Sequence, residues 1–132
     1  MAVVDASVIV EFVRAGGPTQ LVDARLAEEE HALWAPHLID AEVGQTLRRE
    51  VRSGRMDAEA AEVALGEIDD LPLRRVEHEN LILVAWDLRD NFSFYDGLYV
   101  ALALMLGETL LTFDARMARS GLDLPIEVLA QA

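Results

Sequence analysis

Two kinds of hydrophobic pattern alternate along this chain. Short unbroken apolar runs give way to stretches where apolar positions return every three or four residues. Ala2-Val3-Val4 is the first run. It is too apolar to have a wet face, as a central parallel strand should be. A helix is predicted from about Ala6, with Gly16-Gly17-Pro18 breaking the chain after it. From Thr19 to Glu30 the steps Leu21–Ala24–Ala27 and Val22–Leu26 mark one buried helix face. A second strand is predicted from His31 to Ala35, closed by Pro36. A third helix runs from Leu38 to Arg52, ended by Ser53-Gly54, and Asp57 caps a fourth that reaches about Asp70. Leu73 to Val76 reads as an edge strand, and Glu79 to Arg89 as a fifth helix before a turn at Asp90-Asn91.

The stretch from Ser93 to Ala115 is the organising one. Leu98 to Leu106 is apolar almost without a break, so this helix is predicted to have no wet face. Gly107 ends it, and Leu110 to Phe113 forms a short buried strand. A helical turn from Ala115 to Ser120, stopped by Gly121, and a strand from Ile126 to Leu129 complete the chain. Strands alternating with helices predict an α/β fold, a three-layer α/β/α sandwich around a mostly parallel sheet of four to five short strands.

Length and composition narrow the class. The 132 residues suit a single domain, and 52% hydrophobic content argues against disorder. Without cysteine there are no disulfides and no thiolate metal sites. The N-terminus lacks a basic leader, and no apolar run approaches the roughly 20 residues that span a bilayer, so a cytoplasmic protein is expected. Net charge is −13, and all 11 basic residues are arginine. That balance disfavours passive phosphate binding and suits a protein that takes divalent cations or a basic partner.

The acids then acquire a pattern. In a parallel sheet, ligands bind beyond the carboxyl ends of the strands. Asp5 directly follows the first strand, and Asp114 follows the Leu110 strand. Glu42 lies early in the third helix, just past the second strand. Asp96 lies in the first turn of its helix and joins them if that helix begins at the same edge. Each also has a local reading. Asp5 and Asp114 suit helix caps, Ser93 and Asp96 form a capping box, and Glu42 suits a solvated helix face. Taken together the four invite a cation, since two carboxylates ~4 Å apart repel by roughly 4 kcal/mol at an effective dielectric of 20. Oxygen-only donors favour Mg²⁺ or Mn²⁺.

VVDASVIVEF, PHLIDAEVGQTLRR and FSFYDGLYVALALMLGETLLTFDARM resemble, in order and spacing, the signature blocks of PIN-domain ribonucleases. The short form resembles VapC-type toxins of toxin–antitoxin pairs, and the resemblance covers nearly the whole chain. It implies metal-dependent RNA cleavage, with Asp5, Glu42, Asp96 and Asp114 as metal-site acids and Ser7 and Thr112 as supporting residues. Asp40 competes with Glu42 two residues away, but Glu42 fits the family block. His37 is a further candidate nearby. Some relatives carry another acid after the last aspartate, where this chain has Arg116-Met117. The resemblance also implies an antitoxin partner, an RNA substrate such as tRNA or rRNA, and a homodimer.

RNA must still be attracted. Arg48, Arg49, Arg52 and Arg55 form the best basic patch, and Arg49 shares a helix face with Glu42. Arg49, Arg52 and Arg116 are therefore the RNA-binding candidates, although these arginines equally suit pairing with neighbouring acids. Trp34, Trp86, Phe12, Phe113 and Tyr99 are predicted core, while Phe92, Phe94 and Tyr95 are placed at the rim where one could meet a base. Phe12, Val13, Leu21 and Val22 are candidates for a groove that receives an antitoxin helix. Two rivals remain: a PIN fold kept only for interaction, and a Mg²⁺-binding receiver domain. The receiver normally needs a lysine, which this chain lacks.

Overall fold

The computed structural model describes residues 1–14, 20–28 and 32–129, and side chains throughout these except Leu21. The expected break at Gly16-Gly17-Pro18, the start of the second strand at His31, and the outer ends of the second helix lie outside the described residues.

Five strands form one sheet: β1 (Ala2–Val4), β2 (Leu33–Pro36), β3 (Leu73–Val76), β4 (Leu110–Thr112) and β5 (Ile126–Val128). Every pairing is parallel, and the order is β3-β2-β1-β4-β5. The chain thus steps outward from β1 to β3, then returns across the sheet to β4 on the other side of β1. Right-handed crossovers put the helices before β3 on one face and those after it on the other. They are α1 (Ala6–Val13), α2 (Gln20–Ala27), α3 (Leu38–Arg52) and α4 (Ala58–Glu67), then α5 (Ile82–Asp87) and α6 (Phe94–Leu106). The packing follows: α1 touches α2, α3 and α4, whereas α5 lies on α6 and α6 crosses β1, β2 and β4. The predicted three-layer α/β/α sandwich is the fold, and the sheet is wholly parallel.

The core lies between these layers. Val3, Val4, Leu110 and Leu111 of the central strands are fully buried, with Val8 and Ile9 of α1 and Ile39, Val43 and Leu47 of α3. Leu98 to Ala103 are buried along α6. At Gly97 the two helices approach so closely that a Cβ would stand 3.2 Å from the Ala85 carbonyl oxygen of α5. Gly107 closes α6 in the left-handed region at φ 67°. Among the described residues no helix is long and apolar enough to cross a membrane.

Several expectations shift. The all-dry α6 is dry only over most of its length, since Leu104 and Met105 are 41% and 52% exposed. Its 13 residues span about 20 Å, while strands of three or four residues span roughly 10–13 Å, so its last turn overruns the sheet. The fourth helix ends as α-helix at Glu67 and finishes in a 3₁₀ turn, Ile68–Asp70, because Pro72 disfavours helical backbone at Leu71. The fifth helix is two pieces, a 3₁₀ turn at His78–Asn80 and then α5, joined at Leu81. Pro36 does not close β2 but belongs to it, opposite Val76, and β4 ends at Thr112 rather than Phe113. The last helical turn is 3₁₀, Ala115–Arg119. Trp86 is not core: it is 55% exposed, with the Arg89 guanidinium 4.8 Å from its ring.

Candidate active site

The strand order reverses between β1 and β4, and Asp5 and Asp114 follow the carboxyl ends of those two strands. Asp5 is the N-cap of α1. Its Oδ1 accepts from the Ser7 and Val8 backbone amides at 3.1 and 3.4 Å and from Ser7 Oγ at 2.5 Å. Its Oδ2 accepts from Thr112 Oγ1 in a short hydrogen bond. Both hydroxyls reach onward: Ser7 Oγ accepts from the Phe113 amide at 2.9 Å, and Thr112 Oγ1 from the Asp114 amide at 3.0 Å. One carboxylate and two hydroxyls thus tie the end of β1 to the end of β4. The capping reading and the cluster reading of Asp5 describe the same side chain. Burial pushes its carboxyl above the usual range, while the two hydroxyls and two amides pull it back.

The other acids gather round this knot. Glu42, half-buried on α3, is raised by burial and by the negative charges of Asp96 and Asp5, and eased by Tyr99 and Arg49. Asp96, in the first turn of α6, is raised by burial and by Asp114, and eased by Ser93 and Arg116. Asp114 goes the other way. Arg116 donates to it from Nε at 3.1 Å, Nη2 at 2.8 Å and its backbone amide at 2.9 Å, holding its carboxyl below the usual range. Glu42 thus senses Asp96 and Asp5, and Asp96 senses Asp114. Among the described residues, however, no three carboxylate or imidazole groups close on a single point. The rim is an open ring of charge.

Tyr99 is the residue that sequence reasoning placed only in the core. It is 1% exposed, yet its hydroxyl is buried without a hydrogen bond. It faces Glu42 closely enough to favour the ionised carboxylate, while stopping short of a formed bond. Burial and the charges of Glu42, Asp5 and Asp96 raise its own phenol well above the ordinary value. The signal was present in the spacing: Tyr99 is three residues beyond Asp96, hence on the same face of α6.

Other candidates fall elsewhere. Asp40 is drawn away by Arg75, whose Nε and Nη2 meet its carboxylate at 2.6 and 2.7 Å. His37 is exposed and stands edge-on to His78, whose Nε2 accepts from the Leu38 amide at 2.9 Å. The four arginines of α3 and its end do not form one patch. Arg49 stays with Glu42, Arg48 and Arg52 line a groove between α3 and α4, and Arg55 turns to Glu50. Phe92 is buried, not at the rim, whereas Phe94 and Tyr95 are exposed in the first turn of α6. Val13 and Val22 are buried in the core and offer no groove; Leu21 lies outside the described side chains.

Residues 2–121 match the PIN domain. The chain belongs to the PIN-domain family, among the VapC proteins. This PIN domain is 43% identical over 127 residues to Ribonuclease VapC1 of Mycobacterium tuberculosis strain H37Rv, covering 96% of this chain and 94% of that protein. It is 40% identical to Ribonuclease VapC3 of the same strain, over 89% and 85% of the two chains. Its fold matches VapBC2 from Rickettsia felis, solved bound to a promoter DNA fragment, with a TM-score of 0.69 at 14% identity over 98% of both chains.

Proposed function

We propose that this PIN domain is a metal-dependent endoribonuclease and the toxin of a toxin–antitoxin pair. One observation carries the reading. Four acids from separate parts of the chain lie along the carboxyl edge of the sheet near the β1–β4 switch point, Glu42 sensing Asp5 and Asp96 and Asp96 sensing Asp114, in a fold whose relatives are named ribonucleases.

The donor set supports a hard divalent cation. It is oxygen-only and strongly negative, which suits Mg²⁺ or Mn²⁺ over softer metals. An open ring is also what Mg²⁺ needs, because it keeps several waters and takes only one or two carboxylates directly. The buried Tyr99 hydroxyl, which faces Glu42 without a formed hydrogen bond, adds a polar group beside those acids. Asp5, Asp96 and Asp114 would hold the ion, with Glu42 holding a second or orienting water. Such an ion lowers the pKa of bound water and offsets charge on the phosphate. Ser7 and Thr112 keep Asp5 fixed, and Arg116, now held by Asp114, would trade it for a phosphate oxygen.

The test is cleavage of mixed tRNA and rRNA by the partner-free protein, with Mg²⁺, with Mn²⁺ and with EDTA, beside Asp96→Asn. Metal-dependent cutting that the variant lacks is expected. Cutting that survives EDTA, or that Asp96→Asn retains, removes the four acids from the mechanism.

A further inference from the structure

One face of α3 continues outward from Glu42. Leu38, Ala41, Gln45 and Arg49 follow at helical spacing and line a pocket of about 220 Å³, closed on its other sides by Ala6 of α1 and Tyr95 of α6. The pocket is continuous with the acidic rim, since Glu42 belongs to both. Its walls are mostly apolar, and two of them are alanines, so the space is open because the side chains there are small.

Three groups in it bear chemistry that no step of the proposed cleavage uses. Tyr95 is 62% exposed and offers an aromatic ring one residue from Asp96. Gln45 offers both a donor and an acceptor. Arg49 leans on Thr46 Oγ1 at 3.4 Å and senses the Glu42 charge, and its side chain is exposed with no formed ion pair among the described residues. A mostly apolar lining, an aromatic ring, an amide and a cation are what an unstacked nucleobase and its phosphate need.

We propose that this pocket holds one unstacked base of single-stranded RNA, adjacent to the phosphate that is cut. The proposal rests on the ribonuclease reading and specifies its substrate. It also answers how a chain of charge −13 retains RNA. Phosphates gain little near this surface, but a base is neutral, and stacking works without counterion release.

The experiment uses a synthetic single-stranded oligoribonucleotide spanning the main cut found in the tRNA and rRNA digest. The nucleotides flanking the cut are replaced, one at a time, by an abasic residue. Removing the base at one flank is expected to lower kcat/KM on the order of tenfold to a hundredfold, the range that loss of base stacking gives. Ala41→Phe should fill the pocket from an exposed position and cause a similar loss on the intact RNA, with little further loss on the abasic one. Tyr95→Ala is the second variant, also at an exposed residue, and should raise KM more than it lowers kcat. Wild-type cutting that ignores base removal at both flanks overturns the subsite. So does full activity in folded Ala41→Phe, which would leave the pocket to a partner protein. A wild type that cuts none of these RNAs overturns the ribonuclease reading, and the subsite falls with it.

Discussion

Thr112→Val keeps the shape of the side chain and removes one hydroxyl. Thr112 is the one polar residue fully buried among those described, and its Oγ1 makes two hydrogen bonds. It donates to the Asp5 carboxylate and accepts from the Asp114 amide. A hydrogen bond to a charged group contributes about 1.5–3 kcal/mol, and a buried amide left without an acceptor costs about 1–3 kcal/mol. Asp114 is partly open to water, so the amide term belongs at its low end. A destabilisation of about 2–4 kcal/mol is expected, a large fraction of a total of roughly 5–15 kcal/mol. Thr112→Ser keeps the hydroxyl and loses one methyl, about 0.8 kcal/mol. Urea unfolding of the metal-free proteins at neutral pH, followed by circular dichroism, measures both. Valine within about 0.5 kcal/mol of wild type would refute the reasoning. A serine variant as damaged as the valine one would show that packing, not the hydroxyl, is what matters.

Two further outcomes follow from the same charges. Asp5, Glu42 and Asp96 have carboxyls raised above their ordinary values, so the folded protein binds protons more tightly there than the unfolded chain does. Their contribution to stability is fullest below the ordinary carboxylate range and is lost as pH rises through the raised values. Asp96→Asn should therefore be more stable than wild type at neutral pH without metal, and the gap should shrink as pH falls. A variant melting below wild type at neutral pH contradicts this. Tyr99→Phe removes a buried hydroxyl that faces the Glu42 carboxylate without a formed hydrogen bond, so the desolvation relieved and the attraction lost should nearly cancel and the metal-free protein should stay within about 1 kcal/mol of wild type. Its Mn²⁺ affinity, by calorimetry, should fall; unchanged affinity would separate the hydroxyl from the cation.

The strands and the acids were legible because each apolar run is short, bounded by turn residues, and followed at once by its acid: Val4 by Asp5, and Thr112-Phe113 by Asp114. The parallel fold then fixes which edge those acids share. What the sequence hid depends on neighbours distant along the chain. Trp86 sits on a short helix whose outer face none of the described residues covers. The wet end of α6 follows from sheet width, which no single segment reveals. The arginines near the end of α3 look like one patch in sequence, yet helical spacing sends Arg49 to the rim and Arg48 and Arg52 toward α4. Asp40 and Glu42, two residues apart, already point to different helix faces in the sequence; what the sequence hid is Arg75, from β3, beside the former.

The knot at Asp5 bears on how an inactive form of this protein should be made. Asp5 caps α1 with one oxygen and holds the end of β4 through Thr112 with the other. An asparagine there could keep the cap through its Oδ1, but it puts an NH₂ donor where Oδ2 accepts the Thr112 hydroxyl, at the junction of two central strands, so a silent Asp5 variant is as readily a misfolded protein as an inert one. Asp96 carries a lighter structural duty: Ser93 Oγ caps the helix at its amide, and its half-buried carboxylate reaches only its neighbour Ser93, not a second strand. On the proposed ribonuclease reading, Asp96→Asn is therefore the variant expected to be inert while the architecture stays whole, and the one to use for capturing an intact partner complex.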